Sequence, residues 1–345
     1  MHPTYIRLLL DWAALQPRAD RPPALGQAVN GCARGVAPCG PYAGLRDQLA
    51  AIASQQRSQP GRFQVVIDVL GAPAWAALAP HGCELPGTAA LTRPLRAGAL
   101  AGYRALIGAV LALGAAEGVP LQWWSPWNEP NHPRFISPQR ASCAAAAPPV
   151  SPAIYAGLAR AMAAELAAAG PGRRMILGEL SDLRVDSPYT TSVATFVAAL
   201  PADVLCLGPV WSIHAYAARE RPAPDAVAAL ERALAARGGC AASAPVWVTE
   251  AGAGAAHPGA PRPAAAAADQ LAGCQALARQ LRAWYADPRV GAVFQYTFRE
   301  DPSFPVGLLS ADLSGAYPAY RLLLDYSRLA GAARSASPPA LECHA

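Results

Sequence analysis

Two glutamates stand where carboxylates can do chemistry rather than hold a fold together. Glu129 lies in Trp127-Asn128-Glu129-Pro130, at the end of an apolar run that begins at Leu121. Glu250 lies in Trp247-Val248-Thr249-Glu250-Ala251-Gly252, at the end of a run that begins after Pro245. A carboxylate that closes a buried strand and is followed closely by Pro or Gly sits at a sheet rim. Two such carboxylates on separate strands supply what cleavage of a glycosidic bond requires: one proton donor and one nucleophile or base. A donor must hold its proton near neutral pH, so an apolar or like-charged setting should raise its pKa. Trp123, Trp124 and Trp127 put apolar bulk beside Glu129, and Asn128 is placed to hydrogen-bond a sugar 2-hydroxyl. A nucleophilic carboxylate instead needs a cationic or hydrogen-bonding neighbour.

The elements that position these residues alternate between strand and helix patterns. The strand-like runs are Tyr5–Leu10, Phe63–Leu70, Leu121–Trp127, Arg174–Glu179, Val204–His214, Val246–Glu250 and Ala292–Phe298. Helical stripes follow, such as Tyr103, Leu106, Ile107, Val110, Leu113 and Leu277, Leu281, Trp284, Tyr285. Ser151-Pro152 and Ser187-Pro188 read as a cap followed by proline at the first helical position. Such alternation predicts a parallel sheet wrapped by helices. With 345 residues, 53% of them hydrophobic and 15% charged, the chain can bury one large barrel core.

Composition excludes several classes. The net charge of +5 is small, every basic residue is Arg, and no Arg cluster interleaves with aromatics, so no nucleic-acid partner is expected. No apolar run reaches the ~18 residues that a membrane helix needs. Tyr5 to Leu10 is too short for the core of a signal peptide. The eight cysteines show no Cys-x-x-Cys pairing of a zinc site. Their even number, with most in loops, points to disulfides in an oxidising compartment, secreted or periplasmic. Loop neighbourhood predicts Cys32–Cys39, Cys83–Cys143 and Cys240–Cys274, with Cys206 a free thiol inside a strand.

Both glutamate motifs resemble those of the retaining glycoside hydrolases of clan A. There Asn-Glu-Pro closes the fourth strand of a (β/α)8 TIM barrel and a second Glu closes the seventh. The resemblance implies Glu129 as general acid/base and Glu250 as nucleophile, with the carboxyl groups ~5–5.5 Å apart and no metal or organic cofactor. Arg7, in Tyr5-Ile6-Arg7-Leu8, resembles the clan's second-strand arginine that contacts the nucleophile. His214-Ala215-Tyr216 resembles its sixth-strand His-x-Tyr. The pattern departs from the cellulase branch at two places. Asp68-Val69-Leu70-Gly71 stands where that branch carries a His after its third strand, and Gln295-Tyr296-Thr297-Phe298 stands where its eighth strand ends in Trp. The likeness is closer to family thirty-nine, or to an unplaced relative of it, than to a typical cellulase. Aromatics expected at the mouth are Trp12, Trp75, Trp124, Trp127, Trp211 and Phe298. The set expected to contact substrate is Asn128, Arg7, His214, Tyr216, Trp127, Trp211 and Phe298.

Motif order makes Tyr5–Leu10 the second strand, so the barrel lacks its first strand-helix unit in this chain. That predicts an open side between Tyr5–Leu10 and Ala292–Phe298, with apolar side chains exposed along it. Residues 1–330 form the barrel and 331–345 an irregular tail. The expected partner is a glycoside, oligosaccharide or polysaccharide, bound by a monomer. A transglycosylase would use the same residues. An inactive, carbohydrate-binding barrel is the alternative from another class, and a truncated product is its strongest form.

Overall fold

Period-two and period-3.6 patterns alternate along the chain, and in the computed structural model they become strands and helices in the same order. The structure describes residues 3–144, 146–217, 225–253, 267–329 and 343. The elements are β1 (Tyr5–Asp11), α1 (Trp12–Leu15), a hairpin of β2 (Val29–Asn30) and β3 (Pro41–Tyr42), α2 (Gly44–Ser58) and β4 (Gln64–Leu70). Then come α3 (Leu100–Ala116), β5 (Trp123–Ser125), α4 (Ser151–Ala168), β6 (Arg174–Ser181) and α5 (Val193–Ala199). The chain continues with β7 (Val210–Ala217), α6 (Ala226–Arg237), β8 (Val246–Ala253), α7 (Ala267–Ala286), β9 (Val290–Gln295) and α8 (Pro318–Leu329).

Seven strands form one parallel sheet in the order β1-β4-β5-β6-β7-β8-β9. Among the described residues this is a (β/α)8 barrel short of one strand-helix unit. Among the described residues no strand pairs the outer edges of β1 and β9. Those edge strands are the less buried ones: only Leu10 is buried in β1, whereas every residue of β8 is. Leu9, 39% exposed, is apolar surface on β1. The expected open side is only partly open, however. At its foot the Tyr5 and Phe294 rings meet at 5.7 Å. At its mouth Arg299 donates to the carbonyls of Gly31, Val36 and Pro38, and Arg34 pairs with Asp301.

Because side chains alternate across a strand, each strand feeds two cores. Val65, Ile67, Val69, Leu177, Ile213 and Val248 face outward and pack with the helices, including the buried stripe Tyr103, Leu106, Ile107, Val110 of α3. Val66, Trp123, Ile176, Val210, Trp247 and Phe294 face inward and form an aromatic floor, with Trp123 and Trp247 centroids 4.6 Å apart. That floor closes the foot of the barrel, and the polar groups lie above it, toward the C-terminal rim.

Local expectations needed correction. Strand β7 starts at Val210 rather than Val204, and β9 ends at Gln295. Ser151 is the first residue of α4 and Val150 its cap, the Ser151 hydroxyl donating to Gln139 instead. No helix starts at Ser187-Pro188; α5 begins at Val193, where Ser192 Oγ accepts from the Thr195 amide. The Cys32–Cys39 and Cys83–Cys143 bridges are present, with Cα separations of 4.3 and 4.9 Å. Cys240, however, pairs with Cys206, and Cys274 with Cys343, so no cysteine is free. Starting β7 six residues too early had placed Cys206 inside the sheet. It lies instead in the loop that enters β7, beside the loop that enters β8. Apart from Cys343, the expected tail 331–345 lies outside the described residues, as does most of the Ala255–Ala268 stretch.

Candidate active site

Above the floor, the inward positions of successive strands become polar. On β7, Val210 belongs to the floor, and Ser212, His214 and Tyr216 follow at every second residue on the same face. Arg7 on β1, Asp68 on β4, Ser125 on β5, Glu179 on β6 and Thr249 on β8 complete a polar layer. Glu129, Tyr216 and Glu250 stand nearer the rim.

The backbone of the Asn-Glu pair is strapped to both neighbouring strands. The Asn128 amide donates to Val69 O (3.0 Å) and the Glu129 amide to Glu179 O (2.9 Å). Glu129 has φ +37° and Glu179 φ +51°, in the left-handed region that non-glycine residues seldom occupy. Gly178, at φ +99°, lets β6 bulge there, since a Cβ would meet Ser212 O at 2.6 Å.

Arg7 is the hub. Its Nη1 donates to Glu250 Oε1 (2.7 Å), and its Nη2 to Asp68 Oδ2 (2.6 Å), Asn128 Oδ1 (2.8 Å) and Glu179 Oε2 (3.0 Å). Glu250 also accepts from the Tyr216 hydroxyl. His214 joins the carboxylates: Nδ1 lies 2.9 Å from Glu129 Oε1 and 3.4 Å from Glu250 Oε2, and Nε2 lies 2.8 Å from Glu179 Oε2. Burial works against charge on His214, but Glu250 and the hydrogen bonds to Glu129 and Glu179 outweigh it and raise its pKa to about 10. Burial likewise opposes charge on Glu179, and Arg7, His214 and Ser125 overcome it, bringing that carboxyl down to about 2. Asp68 goes the other way. Its burial dominates the opposing Arg7 charge, and neighbouring carboxylates add to it, so its pKa rises well above the ordinary range.

Glu129 departs from expectation. Burial does push its pKa up, but the hydrogen bond and charge of His214 prevail, and the carboxyl is held below its ordinary value. The indoles expected to raise it face elsewhere. Trp123 belongs to the floor, and Trp124 and Trp127 to the helix-side core, where Trp127 Nε1 donates to Phe135 O.

One oxygen of Glu129, one of Glu250 and a His214 nitrogen all lie within 4.8 Å of one another. Three such atoms could hold a cation. Here both His214 nitrogens already face carboxylates and Arg7 already occupies Glu250, so a metal would have to displace protons and the guanidinium.

The structure brings Asn128, Arg7, His214 and Tyr216 to the two glutamates. Arg7, His214 and Tyr216 bond the carboxylates; the Arg7 and His214 side chains are nearly enclosed, and Tyr216 keeps partial exposure. Trp127 and Trp211 are corrections. Trp211 is fully buried on the outward face of β7, the face opposite His214, and Trp127 is buried against Tyr103. Trp12 and Trp124 are also fully buried. Phe298 keeps 53% exposure, its ring near Tyr320. Tyr296 is the aromatic nearest the chemistry after β9. Burial and then the charges of Glu250 and Asp301 push its phenol up to about 12. Glu179 and Asp68 are site residues that no strand-end motif marks. Each had a signal: an acid within an apolar strand, and for Glu179 a preceding glycine, which in a strand marks a bulge or close approach.

No family profile matches the sequence, and no curated protein matches it at significant similarity. Solved structures do match. A family 39 glycoside hydrolase from the gut symbiont Bacteroides cellulosilyticus superposes with TM-score 0.57 at 18% identity, over 94% of this chain and 58% of that one. The Streptomyces cattleya GH5_18 structure in complex with GlcNAc gives 0.57 at 18%, over 97% and 73%. The catalytic domain of GH30 xylanase C from Talaromyces cellulolyticus gives 0.52 at 15%, over 94% and 65%. The fold is that of the clan A glycoside hydrolases. The chain spans 58% of the length of the family 39 protein.

Proposed function

We propose that the chain is a retaining glycoside hydrolase. One observation carries this reading: two strand-end glutamates come within 4.8 Å, oxygen to oxygen, at the rim of a glycosidase-type barrel. That closeness is compatible with the ~5–5.5 Å between carboxyl groups of a retaining enzyme. Glu250, fixed by Arg7 and Tyr216, attacks the anomeric carbon as Glu129 delivers a proton to the leaving oxygen. Water then gives a proton to Glu129 and its oxygen to the anomeric carbon, releasing Glu250. Asn128 has its carbonyl oxygen on Arg7, which leaves its NH2 to donate to a sugar hydroxyl. Phe298 offers an exposed ring at the rim. A sugar acceptor in place of water would make the same site a transglycosylase.

Four disulfides using all eight cysteines support a secreted or periplasmic location. Among the described residues no helix is long and apolar enough to cross a membrane.

A nitrophenyl glycoside panel tests the reading, starting with the β-mannoside, whose linkage is that of the Manβ1-4GlcNAc bound in a GH5_18 variant structure, and the β-xyloside that a xylanase suggests. Glu250→Ala should abolish turnover, and azide should restore it as the glycosyl azide of inverted configuration. Near-normal turnover by Glu250→Ala would refute the assignment.

A further inference from the structure

We infer that Glu179 is a third working carboxylate of this site, a positioning residue that keeps on His214 the proton Glu129 delivers. The inference rests on the assignment of Glu129 as acid/base. It starts from geometry. His214 Nδ1 lies 2.9 Å from Glu129 Oε1 and Nε2 lies 2.8 Å from Glu179 Oε2. A neutral imidazole carries one N–H and one bare lone pair. In this site that lone pair would face a carboxylate oxygen at hydrogen-bond distance. A ring with a proton on both nitrogens satisfies both contacts at once.

Glu179 is built to impose that state. It is fully buried and accepts from His214, Arg7, Thr249 and Ser125, four donors on four different strands. Such a set favours the ionised carboxyl, in line with its pKa near 2. The bulge at Gly178 and the left-handed backbone of Glu179 turn the side chain inward, and the Ser212 hydroxyl and Tyr155 hydroxyl accept from the two amides at 2.8 Å. The charged and titratable groups facing His214 are Glu129 after β5, Glu179 on β6 and Glu250 on β8, with Arg7 and Asp68 in the layer beneath. Arg7 favours loss of the ring proton; the carboxylates favour its retention.

Glu129, held low by His214, then need not store the proton itself. In glycosylation the Nδ1 proton moves to Glu129, which hands that same proton on to the leaving oxygen and is again a carboxylate, leaving His214 neutral. The anomeric C–O bond breaks, its electron pair takes that proton, and Glu250 forms the new bond to carbon. In the second step water loses a proton to Glu129, which returns one to Nδ1, while the water oxygen replaces Glu250. Each cycle restores every proton.

Glu179→Gln removes the charge and keeps the shape. With a poor leaving group, the alkaline limb of kcat/KM should move down by about one pH unit or more, as the store loses its counter-charge. On the alkaline side of both limbs the loss should be about tenfold larger for that substrate than for a dinitrophenyl glycoside, which leaves without protonation. An unmoved alkaline limb, or equal losses for both substrates, would show a merely structural role and overturn the inference. Glu129→Ala is measured alongside. If it spares the poor leaving group, the acid/base assignment itself falls; if it behaves as the acid while Glu179→Gln is silent, only the role of Glu179 falls. Should Glu179→Gln not fold, nitrogen-15 spectra of histidine-labelled wild type decide, with His214 identified by its absence from His214→Gln. Two protonated ring nitrogens at pH 8 support the store; a neutral ring at pH 7 overturns it.

Discussion

The Tyr216 hydroxyl donates to Glu250 from a part-buried position, and that partial burial helps keep it a donor. Its phenol is pushed well above the ordinary value, by burial first and by the Glu250 charge next, so it stays protonated across the working pH range. A hydrogen bond to a charged group contributes ~1.5–3 kcal/mol, or ~10–100-fold in rate. Tyr216→Phe should therefore lower kcat by about that factor and leave the shape of the pH profile unchanged. An altered alkaline limb in that variant would assign the limb to Tyr216 instead. The same layer sets a stability signature. His214 is raised from 6.5 to about 10 in the fold, so its contribution is complete below pH 6.5 and is lost as pH rises through 10. Glu179 is lowered from 4.5 to about 2, so its contribution is present above pH 4.5 and is lost as pH falls through 2. Melting temperature should decline from pH 7 to 10, and His214→Gln should flatten that decline; equal declines in both proteins would contradict it.

At the scale of elements, β6 is the strand whose irregularity matters. Register slips between Leu177 and Leu180, where Gly178 and Glu179 take left-handed conformations. A Cβ on Gly178 meets Ser212 O at 2.6 Å at a φ that L residues rarely adopt. Gly178→Ala should therefore cost roughly 2–4 kcal/mol and lower activity by displacing Glu179. A melting curve and a rate within error of wild type would show that the bulge is dispensable. Element type and order were legible in the sequence because hydrophobic period is a local property. The bulge was not, because it depends on how closely Ser212 of β7 approaches β6. For the same reason Trp211 and Trp127 could not be assigned a face: one residue of register separates barrel interior from helix layer.

Across the whole molecule, two constraints join parts distant in sequence. The seam between β1 and β9 is laced by Arg299 and Arg34 at the mouth and by Tyr5 against Phe294 at the foot. The bridges Cys206–Cys240 and Cys274–Cys343 tie loop to loop and helix to C-terminal segment. Peptide mapping without reduction should find those two pairs, and a Cys240–Cys274 peptide would refute them. Replacing both Cys274 and Cys343 by Ala should destabilise by ~2–4 kcal/mol, read from denaturant midpoints. The sequence alone carried the two carboxylates and the parallel order of strands, because each is written in a short run of residues, as a motif at a strand end or a pattern of apolar residues. The arginine, the His-x-Tyr and the place of the interruption in the barrel came from the resemblance of those motifs to clan A. The tertiary structure alone decided the carboxylates that His214 meets, the four groups around Glu179 and the partners of Cys206, Cys240, Cys274 and Cys343. These depend on which side chains from separate strands converge in one buried layer, where dielectric and distance outweigh local composition.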